Sequence, residues 1–306
     1  MSQPGLDSDS VFGSVLDNLN QQRYSAAMMK LTLLSNGHSK DINYLRLLAQ
    51  TQKALADYTG LIKTLHCIAA QTNQSVDYIE HMLALYLQGR LNEALDVGLL
   101  LQEMDLSGRQ EQVLSHCLIK IYLEFCDYEG VQEVIVRHHN FEQDDFMLFA
   151  KGLVDLAGGK KNEALAYFRK AVALNGENDQ AWISLSLLHE EMGDHELALA
   201  NLSRAFDANP NNATGLKLLT KWHRRDATQA KPVDVCQTNK VIRQVRHYLA
   251  QYEFDEEISL CYMQLLKDTA DMSSLRFEAE KLVLHNPKNP EYMNMKKKLE
   301  QGMNSL

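Results

Sequence analysis

Proline is scarce in this sequence, and none occurs between Pro4 and Pro210. Because proline removes a backbone donor and breaks helices, so long a stretch without it favours helix throughout. No apolar run approaches the ~18 residues that a membrane helix needs, so no membrane span is predicted. The N-terminus also lacks the basic and apolar regions of a secretory signal.

Cysteine is present, but not in pairs. The count is odd and no two cysteines form a CxxC motif, which argues against a disulfide framework and against a zinc site. The five cysteines are Cys67, Cys117, Cys126, Cys236 and Cys261. They are predicted to be small buried or half-buried hydrophobes in a reducing compartment, so we expect a cytoplasmic protein.

The motifs of common active sites are missing as well. The sequence contains no GxGxxG, GxxxxGK[ST], GxSxG or HExxH. The adjacent His138 and His139 would point about 100° apart on a helix, so they would not converge on one metal ion. We therefore predict no enzyme, no catalytic residue, no metal and no cofactor.

Positive charge is also in short supply. The net charge is −9, and residues 1–210 carry 16 Lys and Arg against 28 Asp and Glu. Residues 211–306 carry 15 against 12. An acidic body argues against non-specific nucleic-acid binding, which requires a cationic surface.

What the sequence does contain is a repeat. Residues 145–178 and 179–212 align as two copies of 34 residues, with Ala164 matching Ala198 and Gly159 matching Gly193. The residue at the phase of Ala164 recurs upstream as Ala27, Leu61, Ala94 and Val131. A fixed period of this size is typical of helical repeats. Six helix-turn-helix units are predicted, at roughly 8–41, 42–74, 75–111, 112–144, 145–178 and 179–212, with a longer loop at 106–110.

This pattern resembles the tetratricopeptide repeat (TPR) family, and the copy with Trp182, Leu185, Gly193, Ala198 and Asn209-Pro210 resembles it best. The resemblance implies an all-α fold, a right-handed superhelical solenoid of TPR-like helix-turn-helix repeats. It also implies that the first helix of each repeat lines a concave surface. Proteins of this family are mostly protein-binding scaffolds, adaptors or co-chaperones.

The ends of the chain fit the repeat less well. Residues 1–7 are predicted to be a disordered tail, and 290–306 a C-terminal capping helix and tail. Between them, 213–289 is a degenerate continuation in which a helix over 213–225 is followed by a loop over 226–237. Two interpretations remain open: a seventh repeat with an expanded loop, or an array that ends near 225 and is followed by a small helical domain.

The resemblance also places a candidate binding surface. Its well-known carboxylate clamp needs Lys and Asn on the first helices, and Phe149, Leu153, Ile183 and Leu187 stand there instead. The expected concave positions are largely apolar and suit an amphipathic helix or an extended apolar peptide. They are Ile79, Leu83, Leu87, His116, Lys120, Phe146, Phe149, Leu153 and Ile183. The alternative is that some of these side chains pack against neighbouring helices.

A second candidate surface is basic. Its residues fall within the predicted helix 213–225 and could hold an acidic partner. They are Lys217, Lys221, Trp222, Arg224 and Arg225. The simpler interpretation is a solvated face whose cations complement the helix dipole.

These observations lead to one function and two alternatives. The sequence predicts an adaptor that binds another protein in its groove. One alternative is a chaperone-like protein for secreted or assembling subunits. The other is a homo-oligomer that self-assembles, with the basic C-terminal part of one copy against the acidic N-terminal part of another.

Overall fold

The computed structural model describes residues 8–138, 140–228, 235–252 and 254–301. Within these ranges every regular element is a helix, so the predicted all-α class is confirmed. The chain divides into two compact units, Met1–Phe141 and Glu142–Leu306. The predicted N-terminal tail, 1–7, lies outside the described residues.

The first unit consists of four helix pairs. Their bounds are α1 Ser8–Asn20, α2 Tyr24–His38, α3 Ile42–Ala54, α4 Tyr58–Thr72, α5 Ser75–Leu87, α6 Leu91–Gln102, α7 Gly108–Glu124 and α8 Tyr128–Arg137. A short 3-10 turn, Phe141–Gln143, follows at the boundary between the units.

The second unit continues in the same manner. Its helices are α9 Asp145–Ala157, α10 Lys161–Leu174, α11 Asp179–Glu191, α12 His195–Ala208, α13 Ala213–Thr228, α14 Val235–Gln251, α15 Glu256–Asp268, α16 Met272–His285 and α17 Pro290–Glu300. One hydrophobic core runs from Ile183 on α11 to Leu299 on α17.

Small residues hold the two helices of a pair close together. Ala27 and Ala94 in the first unit, and Ala164 and Ala198 in the second, are completely buried. A helix pair reaches the short end of the ~8–10 Å range of axis separations only when the contact residue is small. The repeated small residue found in the sequence is therefore the contact between paired helices.

The second helix of several pairs begins at a side-chain cap. Asp57 accepts a hydrogen bond from the Gly60 backbone N–H, and Asp127 accepts one from Gly130, each at 3.0 Å. An N-cap carboxylate satisfies one of the orphan backbone donors at a helix start. These aspartates fix where the chain reverses.

Two predicted loops are shorter in the structure. Helix α7 begins at Gly108, inside the predicted loop 106–110, because Gln110 Oε1 accepts hydrogen bonds from the Ser107 backbone N–H and Oγ–H at 2.9 Å. Helices α13 and α14 cover 226–228 and 235–237, so the predicted loop 226–237 is wrong at both ends. Pro232 disfavours helix only at and just before its own position, so the flanking residues are free to be helical.

Candidate functional site

The candidate site is the solvent side of the first helices in the second unit. Leu153, Leu187 and Lys221 are 34 residues apart and occupy equivalent positions on α9, α11 and α13. Leu187 is 44% exposed, and Lys221 is also exposed. We define the first-helix face as Phe146, Leu153, Leu187, Lys217, Lys221 and Leu260.

The predicted groove residues of this unit divide into two groups. Phe146 and Leu153 are half-buried and keep some surface. Phe149 and Ile183 are each only 7% exposed. The Phe149 ring lies 5.9 Å from the ring of Phe168, between centroids, and Ile183 belongs to the core of the unit. These two side chains offer a partner little surface.

Leu187 is a surface residue that the predicted groove left out. It is exposed because its neighbours along α11, Ser186 and Leu188, take the buried positions. The sequence had already placed Leu187 at the same first-helix position as Leu153, so the repeat phase was the signal that could have added it to the groove.

The predicted groove residues of the first unit also differ in exposure. Ile79 is buried, Leu83 and His116 are half-buried, and Leu87 and Lys120 are exposed. The first unit thus presents Leu87, at the end of α5, as its most accessible apolar side chain among these positions.

Of the two predicted surfaces, the basic patch agrees least with the structure. Lys217 Nζ lies 2.5 Å from Glu257 Oε2 and joins α13 to α15, and this hydrogen bond raises the pKa of Lys217. Trp222 is buried in the core beside His195, so its assignment to a surface patch is wrong. Burying its large apolar ring system in the core is more favourable than leaving it on a solvated face. Arg224 and Arg225 lie on α13, and their side chains are outside the described part.

Two titratable side chains of the first unit have strongly shifted pKa values. Burial lowers the pKa of His81 to about 4 and raises that of Cys117 to about 11, and both groups lie among packed helices. No group of three metal-ligating side chains occurs among the residues that the structure describes. Within the same ranges, no helix combines the length and apolarity that crossing a bilayer requires.

Comparison with known proteins finds one family model that matches part of this chain. The family model described as tetratricopeptide repeat matches residues 147–178 and 179–212. A search of curated proteins with this sequence finds no significant match. The family match therefore falls on the two copies from which the repeat was first detected.

Two solved structures resemble the fold. A tetratricopeptide repeat protein from Parabacteroides merdae has a TM-score of 0.60 at 11% identity, covering 84% of this chain and 98% of its own. A chain of the APC/C hetero-tetramer Cut9–Hcn1 has a TM-score of 0.55 at 10% identity, covering 86% of this chain and 50% of its own. At such low identity these likenesses concern the fold alone, and they agree with a solenoid of stacked helix pairs.

Proposed function

We propose that this chain is a scaffold that binds a segment of a partner protein on the first-helix face, since residues 147–178 and 179–212 match the tetratricopeptide repeat family. Tetratricopeptide repeat proteins are protein-interaction scaffolds in general and are generally non-enzymatic. We propose that this chain likewise has no catalytic activity.

The observation that carries the proposal is the exposure of Leu187 within a repeated position. Leucine at 44% exposure is not unusual alone, but Leu153 and Lys221 repeat the position on the flanking first helices. A row of accessible side chains on rigid helices suits an amphipathic helix or an extended segment of a partner. Lys221 adds a cation at one end of the row, where a partner carboxylate would bind.

Net charge and free cysteines support the proposed class of partner and the proposed location. The net charge of −9 favours a protein partner over nucleic acid. Cys67, Cys117, Cys126 and Cys261 are free thiols, which suits the reducing cytoplasm as the proposed location. The core shared by α11 to α17 supports a further proposal, that the repeat array continues through 213–289.

The test is affinity capture with a matched pair of variants. Leu187→Glu places a charge on the first-helix face, whereas Leu174→Glu places one at a comparably exposed leucine on α10, a second helix. We expect one set of bound proteins to be retained by the wild type and by Leu174→Glu and lost by Leu187→Glu. Circular dichroism checks that both variants are folded. Equal binding by all three proteins would rule out the first-helix face.

A further inference from the structure

A cavity opens in the second unit between α14 and α16, and none of its lining residues belongs to the first-helix face. Its volume is about 270 Å³, and its apolar lining includes Leu249, Ala250 and Phe277. Phe277 is an exposed aromatic residue on α16. Pockets for whole small molecules measure about 300–1,000 Å³, so this cavity is better sized for one large side chain.

Two cations stand at the sides of the cavity. Lys281 Nζ lies 5.1 Å from the ring centroid of Phe277, and Arg246 lies 6.0 Å from that of Tyr262. Each cation has a carboxylate neighbour: Glu278 is 3.7 Å from Lys281, and Asp271 is 3.1 Å from Arg246. Lysine has three N–H donors and arginine five. Each side chain therefore has donors that can bind a further carboxylate from a partner.

The first unit carries an exposed turn of complementary chemistry. The end of α7, the connecting turn and the start of α8 have the sequence Glu124-Phe125-Cys126-Asp127-Tyr128-Glu129. Phe125 is 41% exposed and Tyr128 is 37% exposed, and the Glu124 and Glu129 carboxylates flank them. The turn therefore presents aromatic rings surrounded by negative charge.

Backbone hydrogen bonds hold this turn in one shape. The Asp127 N–H donates to the Tyr122 carbonyl at 2.8 Å, and the Cys126 N–H donates to that of Leu123 at 3.0 Å. A pre-ordered turn loses little conformational entropy on binding. It can therefore act as an anchor without first folding.

We propose that copies of this chain associate head to tail, with Phe125 of one copy inserted in the α14–α16 cavity of a second copy. The Phe125 ring packs against Phe277, while Glu124 and Glu129 approach Lys281 and Arg246. The cavity has room for an aromatic ring. Its lining carries two cations, Arg246 and Lys281, against one carboxylate, Glu278, and this net positive charge suits the acidic turn. A head-to-tail contact between different surfaces is heterologous, and it builds chains or rings.

This inference goes beyond the proposed scaffold function, since it uses neither Leu187 nor the rest of the first-helix face. The two proposals can therefore fail independently. A variant without self-association keeps its first-helix face, and Leu187→Glu keeps the cavity and the turn.

The first experiment is sedimentation velocity of the full chain over a concentration series. We expect the mass to rise with concentration and the association to weaken in high salt, because salt screens the carboxylate–cation pairs. Phe125→Ser should weaken association at least about tenfold, the loss expected for a central aromatic anchor. The matched control is Leu33→Ser, which removes an exposed apolar side chain from α2 and should leave association unchanged.

The second experiment tests the direction of the contact by mixing. Ala250→Trp fills the cavity and leaves the turn intact, whereas Phe125→Ser does the reverse. Each variant alone should be monomeric. Mixed together they should form a heterodimer, because the turn of the first variant fits the cavity of the second. A mixture that stays monomeric overturns the proposal.

Cys126 provides a local readout in the wild-type protein. It is exposed beside Phe125, and Cys67 is an exposed thiol on α4. We expect the rate of maleimide modification at Cys126 to fall as protein concentration rises, while that at Cys67 stays constant. A monomer at every concentration overturns the proposal, as does protection of Cys126 that does not depend on concentration.

Discussion

Asn178 Nδ2 donates a hydrogen bond to Asp145 Oδ2 at 2.8 Å, and the same contact recurs 34 residues later between Asn212 and Asp179 at 2.7 Å. In both cases a second asparagine, Asn175 or Asn209, also donates from Nδ2 to the same Oδ2, at 3.1 and 2.7 Å. The aspartate begins a first helix, and the asparagines lie in the turn that leads to the next pair. The contact therefore ties the end of each repeat to its start.

Removing this acceptor should destabilise the second unit. We expect Asp179→Ala to lower the free energy of unfolding by roughly 1–3 kcal/mol, because it leaves two partly buried amide donors without a charged acceptor. Urea unfolding followed by circular dichroism measures the change. Asp207→Ala on the exposed side of α12 is the control and should shift stability by less than about 0.5 kcal/mol. Equal effects would show that the Asn–Asp contact contributes nothing.

The architecture was predictable because the signal repeats. The spacing of Ala164 and Ala198 alone gives the period. Extending it upstream predicts Ala27, Ala94 and Val131 as equivalent residues, and all three are fully buried. A small or apolar residue recurs at this phase, so the pattern depends on the packing that the helix pairs share. The fold class and most helix pairs could therefore be derived without a structure.

The site was less predictable, since a one-residue error in helical phase rotates a side chain by about 100°. Phe149 and Ile183 were placed in the groove and are buried, whereas Leu187 was left out and is exposed. Trp222 shows a different limit. Its basic neighbours suggested a surface, but burial of its large ring depends on the packing of α13 against α12, α14 and α15, which no local pattern reports.

The turns within the helix pairs supply a second prediction. Gly159 has φ +76°, and Ala56 occupies the matching turn of the second pair with φ +56°. A β-carbon at Gly159 would touch nothing within 4 Å, so only the backbone conformation opposes alanine there. The left-handed conformation costs an L-residue roughly 1–2 kcal/mol.

We therefore expect Gly159→Ala to destabilise the protein by about 1 kcal/mol, and Ala56→Gly to stabilise it by up to about 1 kcal/mol. Thermal unfolding of both variants against the wild type is the measurement. Gly176→Ala, in an exposed turn without positive φ, is the control. The explanation fails if the two turn substitutions change stability in the same direction.

Close packing within a pair supplies a third prediction. A β-carbon on Gly152 of α9 would lie 2.5 Å from the ring carbon Cε1 of Phe168, which is completely buried on α10. Overpacking of this kind costs typically 1–3 kcal/mol, so Gly152→Ala should destabilise the second unit by about that amount. Combining it with Phe168→Leu should recover part of the loss in a double-mutant cycle. Strict additivity of the two substitutions would contradict the proposed clash.

The last prediction concerns pH and the buried His81 of α5. This side chain is 6% exposed, and its Nδ1 has no hydrogen-bond partner in the part of the chain that the structure describes. Burial, then the nearby His66 ring and Arg90, lower its pKa from 6.5 to about 4, against a small opposing effect of Glu93. The folded state therefore favours the neutral imidazole.

The sign of the effect follows from proton uptake. The unfolded chain binds a proton at His81 near pH 6.5, whereas the folded chain does so only near pH 4, so acid favours unfolding. The contribution of His81 to the free energy of unfolding is fully present above about pH 6.5. It falls by up to roughly 3 kcal/mol as the pH drops toward 4. His81→Phe should flatten the decline of the urea midpoint between pH 7 and pH 5, whereas His247→Gln, at an exposed position of α14, should not. Parallel pH profiles for His81→Phe and the wild type would assign the acid sensitivity to other groups.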